Sequence, residues 1–471
     1  MNKYNVIIVG AGPTGIFTAV ELRKQNKNLK ILLVDKGQEV AKRHCPIIEG
    51  KLTQCPTDKS GYLGCRPCAM TCGFGGSGAF SDGKFNITTE FGGWLKEFVD
   101  DSLLLDTIKY VDAINVSFGA PKNLTDPDTP AVRLIEQRGI AKGLKLLRSQ
   151  VRHVGTEINL QVLSRMADDL KSDIDFLFLS DVSDILVETN QVKGITLKNG
   201  TTYLSDSVVL GVGRNGSSWL YDVLKKHGVA FNNNRVDIGV RVETNDIVMQ
   251  EINQHLYEGK FVYNTSVGTQ VRTFCSNPSG HVVIENNNGV AVVNGHSFND
   301  PALASKNTNF ALLVSHHFED PFRNPNEYAM EIAHLANKLS NGSVILQKYG
   351  DIKRHRRSTP KRISEGFVQP TLKEAIPGDL GLVLPYNTMQ SIIEMIEALD
   401  SVTPGIANDH TLFYGVEAKF YSDRPDVKAN FEVNHIANLF VGGDGAGITR
   451  GLAQASANGV LIAREIIQKL R

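Results

Sequence analysis

Residues 4–9, YNVIIV, run directly into Gly10-Ala11-Gly12-Pro13-Thr14-Gly15, then a helical stretch IFTAVELRKQ and a second apolar run, KILLVD, ending at Asp35. No other feature of the chain narrows its fold as far. The β-branched run reads as a buried parallel strand. Gly10 permits the tight turn, Gly12 lets the backbone approach a diphosphate, and Gly15 lets helix and strand pack closely. The helix opening at Pro13 and Thr14 turns its free N–H groups and positive dipole end toward phosphate. Asp35, with Lys36 beside it, stands where a carboxylate accepts from a ribose hydroxyl. A free 2′-hydroxyl suits NAD or FAD better than NADP. The expectation is an α/β chain with a Rossmann-type dinucleotide site.

The 471 residues carry 50 basic and 50 acidic side chains, so no overall field draws nucleic acid or an anionic membrane. A chain of this length holds two domains by the usual size scaling. No run of 18 apolar residues occurs, so no membrane span is expected. The apolar start follows Lys3 much as a signal sequence would, but its glycines and the following AVELRKQ fit a strand–turn–helix unit better. A cytoplasmic location is expected. The six cysteines are then thiols, ligands or transient redox groups rather than stable disulfides.

Residues 437–470, ANLFVGGDGAGITRGLAQASANGVLIAREIIQKL, form a strand, a glycine-rich turn with Asp444, and a long helix. The pattern resembles the second FAD motif of flavoproteins with two dinucleotide folds. That resemblance implies a ribityl contact for Asp444. It also implies a flavin contact for the backbone around Gly447 and Ile448, where a helix dipole favours negative charge on the reduced ring. Residues 175–213 read as four short strands with an Asn199-Gly200 hairpin turn. Flavoproteins of this group carry such a meander, with a valine near the adenine, here Val182. Its last strand ends at Gly211-Val212-Gly213-Arg214-Asn215-Gly216, itself a GxGxxG pattern before a helix. The next stretch, AFNNNRVDIGVRVE, lacks a clean second βα unit, so a closing FAD strand is favoured over a separate nicotinamide fold. NAD(P)H, if it serves as reductant, then visits the flavin without a dedicated domain.

Taken together, GAGPTG, CRPCAMTCGFGGSGAFSDGKFN, GVGRNGSSWL, DIGVRVE, VRTFCSNPSGHVV, VNGHS, NTNFALLV and FVGGDGAGITRGLAQASANG resemble a large bacterial family of FAD-dependent dehydrogenases of largely undefined substrate. More distantly, the chain is similar to flavoproteins of the glutathione reductase type. The resemblance runs nearly end to end. The family often has Glu where this chain has Asp444, and the acid is kept.

The organisation expected is a Rossmann-type FAD-binding domain, a parallel sheet plus β-meander, interrupted by a mixed α+β substrate or lid domain. Its parts are 1–95, a helical connection at 96–150, 151–235, the interrupting domain at 236–430, and 431–471. DIGVRVET, GHVVIE and GVAVVNGHS have strand character, while 325–341 and 387–399 look helical. Arg272, Cys275 and His281, followed by His296, are candidates to supply the proton that accompanies hydride transfer. Packed or surface roles are the plainer reading of each, and of His316-His317. The segment 353–362, KRHRRSTPKR, has the charge to bind an anionic substrate, a carrier phosphate or RNA. It reads better as a solvated loop balanced by acids, with no interleaved aromatics to stack bases.

The loop GCRPCAMTCGFGGSGAFSDGKFN, 64–86, puts Cys65, Cys68 and Cys72 within eight positions before a glycine run. In such flavoproteins the segment after the second strand returns to the cofactor. Gly76, Ser77, Ser81 and Asp82 are therefore expected FAD contacts. The cysteines do not follow from FAD binding. With Cys45 and Cys55 upstream they have sulfur enough for zinc or an Fe–S cluster, yet the spacing matches no common ligand signature. Cys65-Arg66-Pro67-Cys68 alone looks like a dithiol. Redox pair, metal ligands and plain buried thiols all stay open.

The function expected is hydride transfer between FAD and a small organic substrate at a C–C or C–N bond. The rivals are a flavin–cysteine relay to a partner protein, a flavin-dependent RNA-modifying enzyme, and a flavin-binding scaffold or sensor. Nothing in the sequence fixes the oligomeric state.

Overall fold

The structure is a computed structural model that describes residues 3–46, 49–52, 65, 67–287, 289–297 and 301–470. Cys55 and Arg66 lie outside the described residues. The chain divides into two units: 1–125 with 149–234 and 422–471, and 126–148 with 235–421. The stretch 96–150, expected as one helical connection, is shared between them. Its residues 126–148 join the second unit, where Leu144–Leu146 pairs with Phe261–Asn264.

In the first unit the opening apolar run becomes β1 (Lys3–Val9), whose Val6, Ile7 and Ile8 are fully buried. Each such side chain contributes about 1.5–3 kcal/mol by leaving water. Helix α1 (Pro13–Gln25) starts with Gly12 as its cap and Pro13 in its first turn, where a missing N–H costs nothing. Arg23 and Lys24 close its last turn, opposite the negative dipole end. β2 (Ile31–Val34) and β3 (Asp175–Leu177) follow on one side of β1, all parallel.

The meander is β4 (Val182–Glu188), β5 (Gln191–Leu197) and β6 (Thr202–Leu210). The first two pairings are antiparallel, and β6 then runs parallel to β1. The second glycine cluster therefore leaves the same sheet as the first and closes that nucleotide unit. β7 (Leu439–Val441) pairs parallel with the other edge of β6 near its C-terminal end. The parallel core thus reads β3-β2-β1-β6-β7, with right-sized apolar strands buried between helices.

Helix α2 (Leu452–Leu470) packs directly on α1. The approach is close because Gly459 faces α1: a Cβ there would stand 2.2 Å from the Thr14 carbonyl. Thr18 donates to the carbonyls of both Thr14 and Gly459, at 2.8 and 3.1 Å. Glu21, fully buried on α1, accepts from Tyr110 at 2.6 Å and from Arg464 of α2 at 3.0 Å.

The second unit is built on an eight-stranded sheet, antiparallel but for the pair Ile345–Lys348 and Ile376–Pro377. Val236–Asn245 is a central strand, paired with Asn307–His316 and Leu412–Lys419. His281–Asn287 and Val290–His296 form a separate hairpin, and Pro325–Leu339 and Tyr386–Leu399 are helices, as the patterning predicts. The strand Val236–Asn245 buries three charged side chains, and each is answered. Arg241 forms a two-pronged pair with Glu417, at 2.7 and 2.8 Å; Asp237 takes Arg272; Glu243 takes Tyr414 and Asn307. Such pairs are costly to break from one side only. Among the described residues no helix is long and apolar enough to cross a membrane.

Candidate functional site

Three glycine-rich turns of the first unit converge on one cleft of about 480 Å³: 10–15 after β1, 211–216 after β6, and 443–451 after β7. A fourth segment, 71–82, lies against the first turn. Of the residues expected there, Gly10, Gly12, Pro13, Thr14, Asp35, Lys36, Gly76, Ser77, Ser81, Asp82, Val182, Gly211, Gly213 and Asp444 line the cleft.

The glycines divide by what surrounds them. A Cβ on Gly15 would stand 1.9 Å from the Gly10 carbonyl oxygen, so this position serves helix–strand packing and lies off the cleft. Gly12 and Gly213 differ. Neither has a positive φ, and a Cβ on either would meet no protein atom within 4 Å. Protein sterics therefore give no reason for glycine at these two positions, which open onto the cleft and admit a ligand to backbone contact.

Asp35 is held by the protein. One of its oxygens accepts from Gly37 N–H at 2.7 Å and Gly73 N–H at 2.8 Å, the other from Ala11 N–H at 2.8 Å. A carboxylate has about four acceptor positions, so one stays open for a ribose hydroxyl. Through Ala11 and Gly73 this carboxylate ties the first glycine turn to the cysteine-glycine segment. Lys36 reaches across to Asn215 at 2.6 Å.

Arg43 is the organiser of the glycine segment. Its buried guanidinium donates to the carbonyls of Ala69, Phe74 and Gly76 at 2.8, 2.7 and 2.9 Å. Burial pulls its pKa below the usual arginine value, against the nearby Asp35 charge. Gly75 donates in turn to the Ala11 carbonyl at 2.8 Å, which brings Gly76 against Gly12. Ser81 donates to Gly78 at 2.7 Å, and Asp82 pairs with Lys84 at 3.1 Å.

Asp444 sits at the β7 end. Burial pushes its carboxyl above the usual aspartate range, while the Thr449 hydroxyl at 2.7 Å and the Arg214 charge pull the other way. Asn458 of α2 holds the preceding turn, accepting the Gly443 N–H at 2.9 Å. Gly447 and Ile448 are not part of the lining. Their N–H groups turn back to Asp444 and Gly443, and the Ile448 carbonyl accepts from Trp94 at 2.9 Å. Arg450, Gly451 and Leu452 line the cleft in their place.

Cys72 is buried at the cleft wall, its Sγ 3.5 Å from Thr71 Oγ1 and 3.9 Å from Asn215 Oδ1. Burial pushes this thiol up. It stands near Asp35 and Lys36, whose charges act on it. Cys65 and Cys68 are half-buried. Among the described residues, no three His, Cys, Asp or Glu side chains are grouped to hold a metal.

In the second unit, Arg272 pairs with Asp237 and stacks over Phe274. His281 Nε2 meets the Leu303 carbonyl at 2.8 Å. Cys275 lies at a bulge with φ of 48°, and its carbonyl accepts from Arg241 and Asn277, both at 2.9 Å. His316 is packed against Phe318 and Tyr328, and burial lowers its pKa. The basic segment is paired largely through Asp351 and Asp409.

Sequence reasoning missed Arg43, Asn215, Lys84 and Asn458. Only Asn458 left a trace, as a polar residue inside the small-residue run LAQASANGV of an otherwise apolar helix.

Residues 235–420 match the family model described as FAD-dependent protein, C-terminal domain-like. The match coincides with the main segment of the second unit. An uncharacterized protein of Clostridium beijerinckii is 26% identical, over 99% of this chain and 81% of its own length. Among solved structures, glycine oxidase from Geobacillus kaustophilus aligns over 99% of this chain and 95% of its own, with 12% identity and a TM-score of 0.39. L-proline dehydrogenase from P. horikoshii aligns over 100% and 94%, with 11% identity and a TM-score of 0.38. Both likenesses are distant, and the fold rests on the strand order itself.

Proposed function

We propose that this chain is an FAD-dependent oxidoreductase that passes a hydride between the flavin and a small organic substrate at a C–C or C–N bond. One observation carries the reading: Gly12 and Gly213, which no protein contact requires, open with Asp35 and Asp444 onto a single cleft. The match of residues 235–420 to an FAD-dependent domain family supports it.

FAD suits the donor set. Asp35, Lys36 and Val182 would hold the adenosine end. The backbones at Gly12, Gly76 and Gly213, with the dipole of α1, would hold the diphosphate. Asp444 would take the ribityl chain, and Ser77, Ser81 and the 450–452 turn would flank the ring. When bound, the flavin supplies two-electron transfer to and from carbon. The protein's part is to orient the cofactor and, through the start of α2, to favour negative charge beside it.

Purified protein should be yellow and release FAD on denaturation. Colourless protein that cannot be reconstituted with FAD would overturn the proposal. Anaerobic reduction of the bound flavin by NADH, NADPH and panels of amines and saturated carboxylic acids would then identify the donor.

A further inference from the structure

We infer that the second unit carries a separate anion site, built for the phosphate group of a small phosphorylated ligand. It lies where Lys348, Arg354, Arg356 and Arg362 face a cavity of about 240 Å³ together with Asp351 and Asp409. This site is independent of the flavin proposal and stands or falls without it.

The arrangement starts from one buried carboxylate. Asp351, 2% exposed, accepts from Arg356 Nε at 2.6 Å, Arg362 Nε at 3.3 Å and Ser358 Oγ at 2.7 Å. Both arginines are thus gripped at Nε, which fixes the guanidinium planes and spares their outer amino groups. Those of Arg356 meet no acceptor among the described residues, and one of Arg362 reaches the Arg357 carbonyl. A fixed planar fork with free outer N–H groups is the geometry that takes two oxygens of a phosphate.

Charge supports the same conclusion. Seven lysines and arginines lie between Lys348 and Arg362, and the carboxylates paired with them are Asp351, Asp409 and Glu365. Seven against three leaves an excess of four, in a chain whose net charge is zero. Lys348 is the sharpest case. Its ammonium donates to the Arg362 carbonyl at 3.2 Å and has no carboxylate partner among the described residues. Like charges held together on a rigid frame repel, and a dianion in their midst relieves that repulsion. One exposed ring, Phe367, lies tilted against His410 beside the cavity, centroids 4.1 Å apart, too few rings to stack successive bases of a nucleic acid.

The test is calorimetric titration of the full-length chain with inorganic phosphate, with sodium chloride matched for ionic strength. One-site binding is expected, weakened tenfold or more by Lys348→Met and by Arg356→Gln. Lys361→Met, at an exposed lysine of the same segment paired with Glu365, should change it less than twofold. A sugar phosphate binding more tightly than free phosphate would assign the site to a phosphorylated metabolite; the reverse order would assign it to the free ion. If Arg356→Gln unfolds the chain, Lys348→Met decides alone, since no ion pair is lost with it. Absence of phosphate binding, or equal weakening by Lys361→Met, overturns the inference. So does salt-sensitive binding of an RNA oligomer by a chain that ignores phosphate.

Discussion

Asn458, in the middle of the last helix, accepts the backbone N–H of Gly443 at 2.9 Å and so fixes the turn that presents Asp444 to the cleft. Replacing it by Ala leaves that buried N–H without an acceptor, at a cost of about 1–3 kcal/mol. Asn458→Ala should therefore lower the urea midpoint and also the FAD content of purified protein. An unchanged flavin-to-protein ratio would show that the turn holds its shape unaided.

Gly12 and Gly15 separate cofactor binding from folding. In Gly15→Ala the new methyl collides with the Gly10 carbonyl, and overpacking of this kind costs about 1–3 kcal/mol or more. Its melting temperature should fall whether or not cofactor is present. Gly12→Ala meets nothing in the protein, so the cofactor-free chain should melt as the parent does while FAD affinity drops at least tenfold. Equal loss of stability in both cofactor-free variants would contradict the assignment.

Arg43 answers three carbonyls with one guanidinium. Arg43→Met strips all three of a charged donor and should cost about 3 kcal/mol or more in equilibrium unfolding. Arg43→Lys should recover only part of this, because an ammonium does not reproduce the planar fork. Full recovery by lysine would reduce the role of Arg43 to that of a charge.

Asp444 sets a pH dependence. Its folded pKa is raised by burial, so between the ordinary aspartate range and that raised value the folded state binds more protons than the unfolded one. Stability of the cofactor-free chain should then fall as pH rises through this window. Asp444→Asn, which keeps an acceptor for Thr449, should be the more stable protein at neutral pH, and the difference should vanish in acid. Denaturant titrations of both proteins across the acid range would detect it, and a parent more stable at neutral pH would refute it.

Cys72 should be the slow thiol of its segment. It is buried, and burial raises its pKa, whereas Cys45 and Cys68 are half-buried. Alkylation at neutral pH, mapped by mass spectrometry, should reach Cys68 before Cys72. Faster labelling of Cys72 would restore it as a reactive redox group.

Much of the nucleotide unit is legible in the chain because its signals are local. A strand, a glycine turn and a helix follow one another without interruption at residues 4–25, and again at 202–226 and 439–470. The pairing of β6 with β1 was harder to foresee, since the second GxGxxG has the same local grammar as a separate fold. Its place follows from the absence of a second βα unit after residue 226. Arg43 left no trace, because its partners are carbonyls, which every residue carries. Gly447 and Ile448 were drawn to the cleft by resemblance. Their N–H groups instead close the turn on itself, and the lining passes to the next residues along.

The cleft takes residues from Val9 to Ala455, and the helix completing it packs against the first one. A ribosome releases β1 and α1 long before α2 exists. Throughout that interval the small-residue face of α1 that receives Gly459 has no native cover. Contacts so distant along the chain form slowly. The second unit's main segment, 235–421, is synthesised whole before that closure and so can fold first. Assembly of the nucleotide unit therefore waits for α2, and the cleft has no complete wall until that helix has emerged.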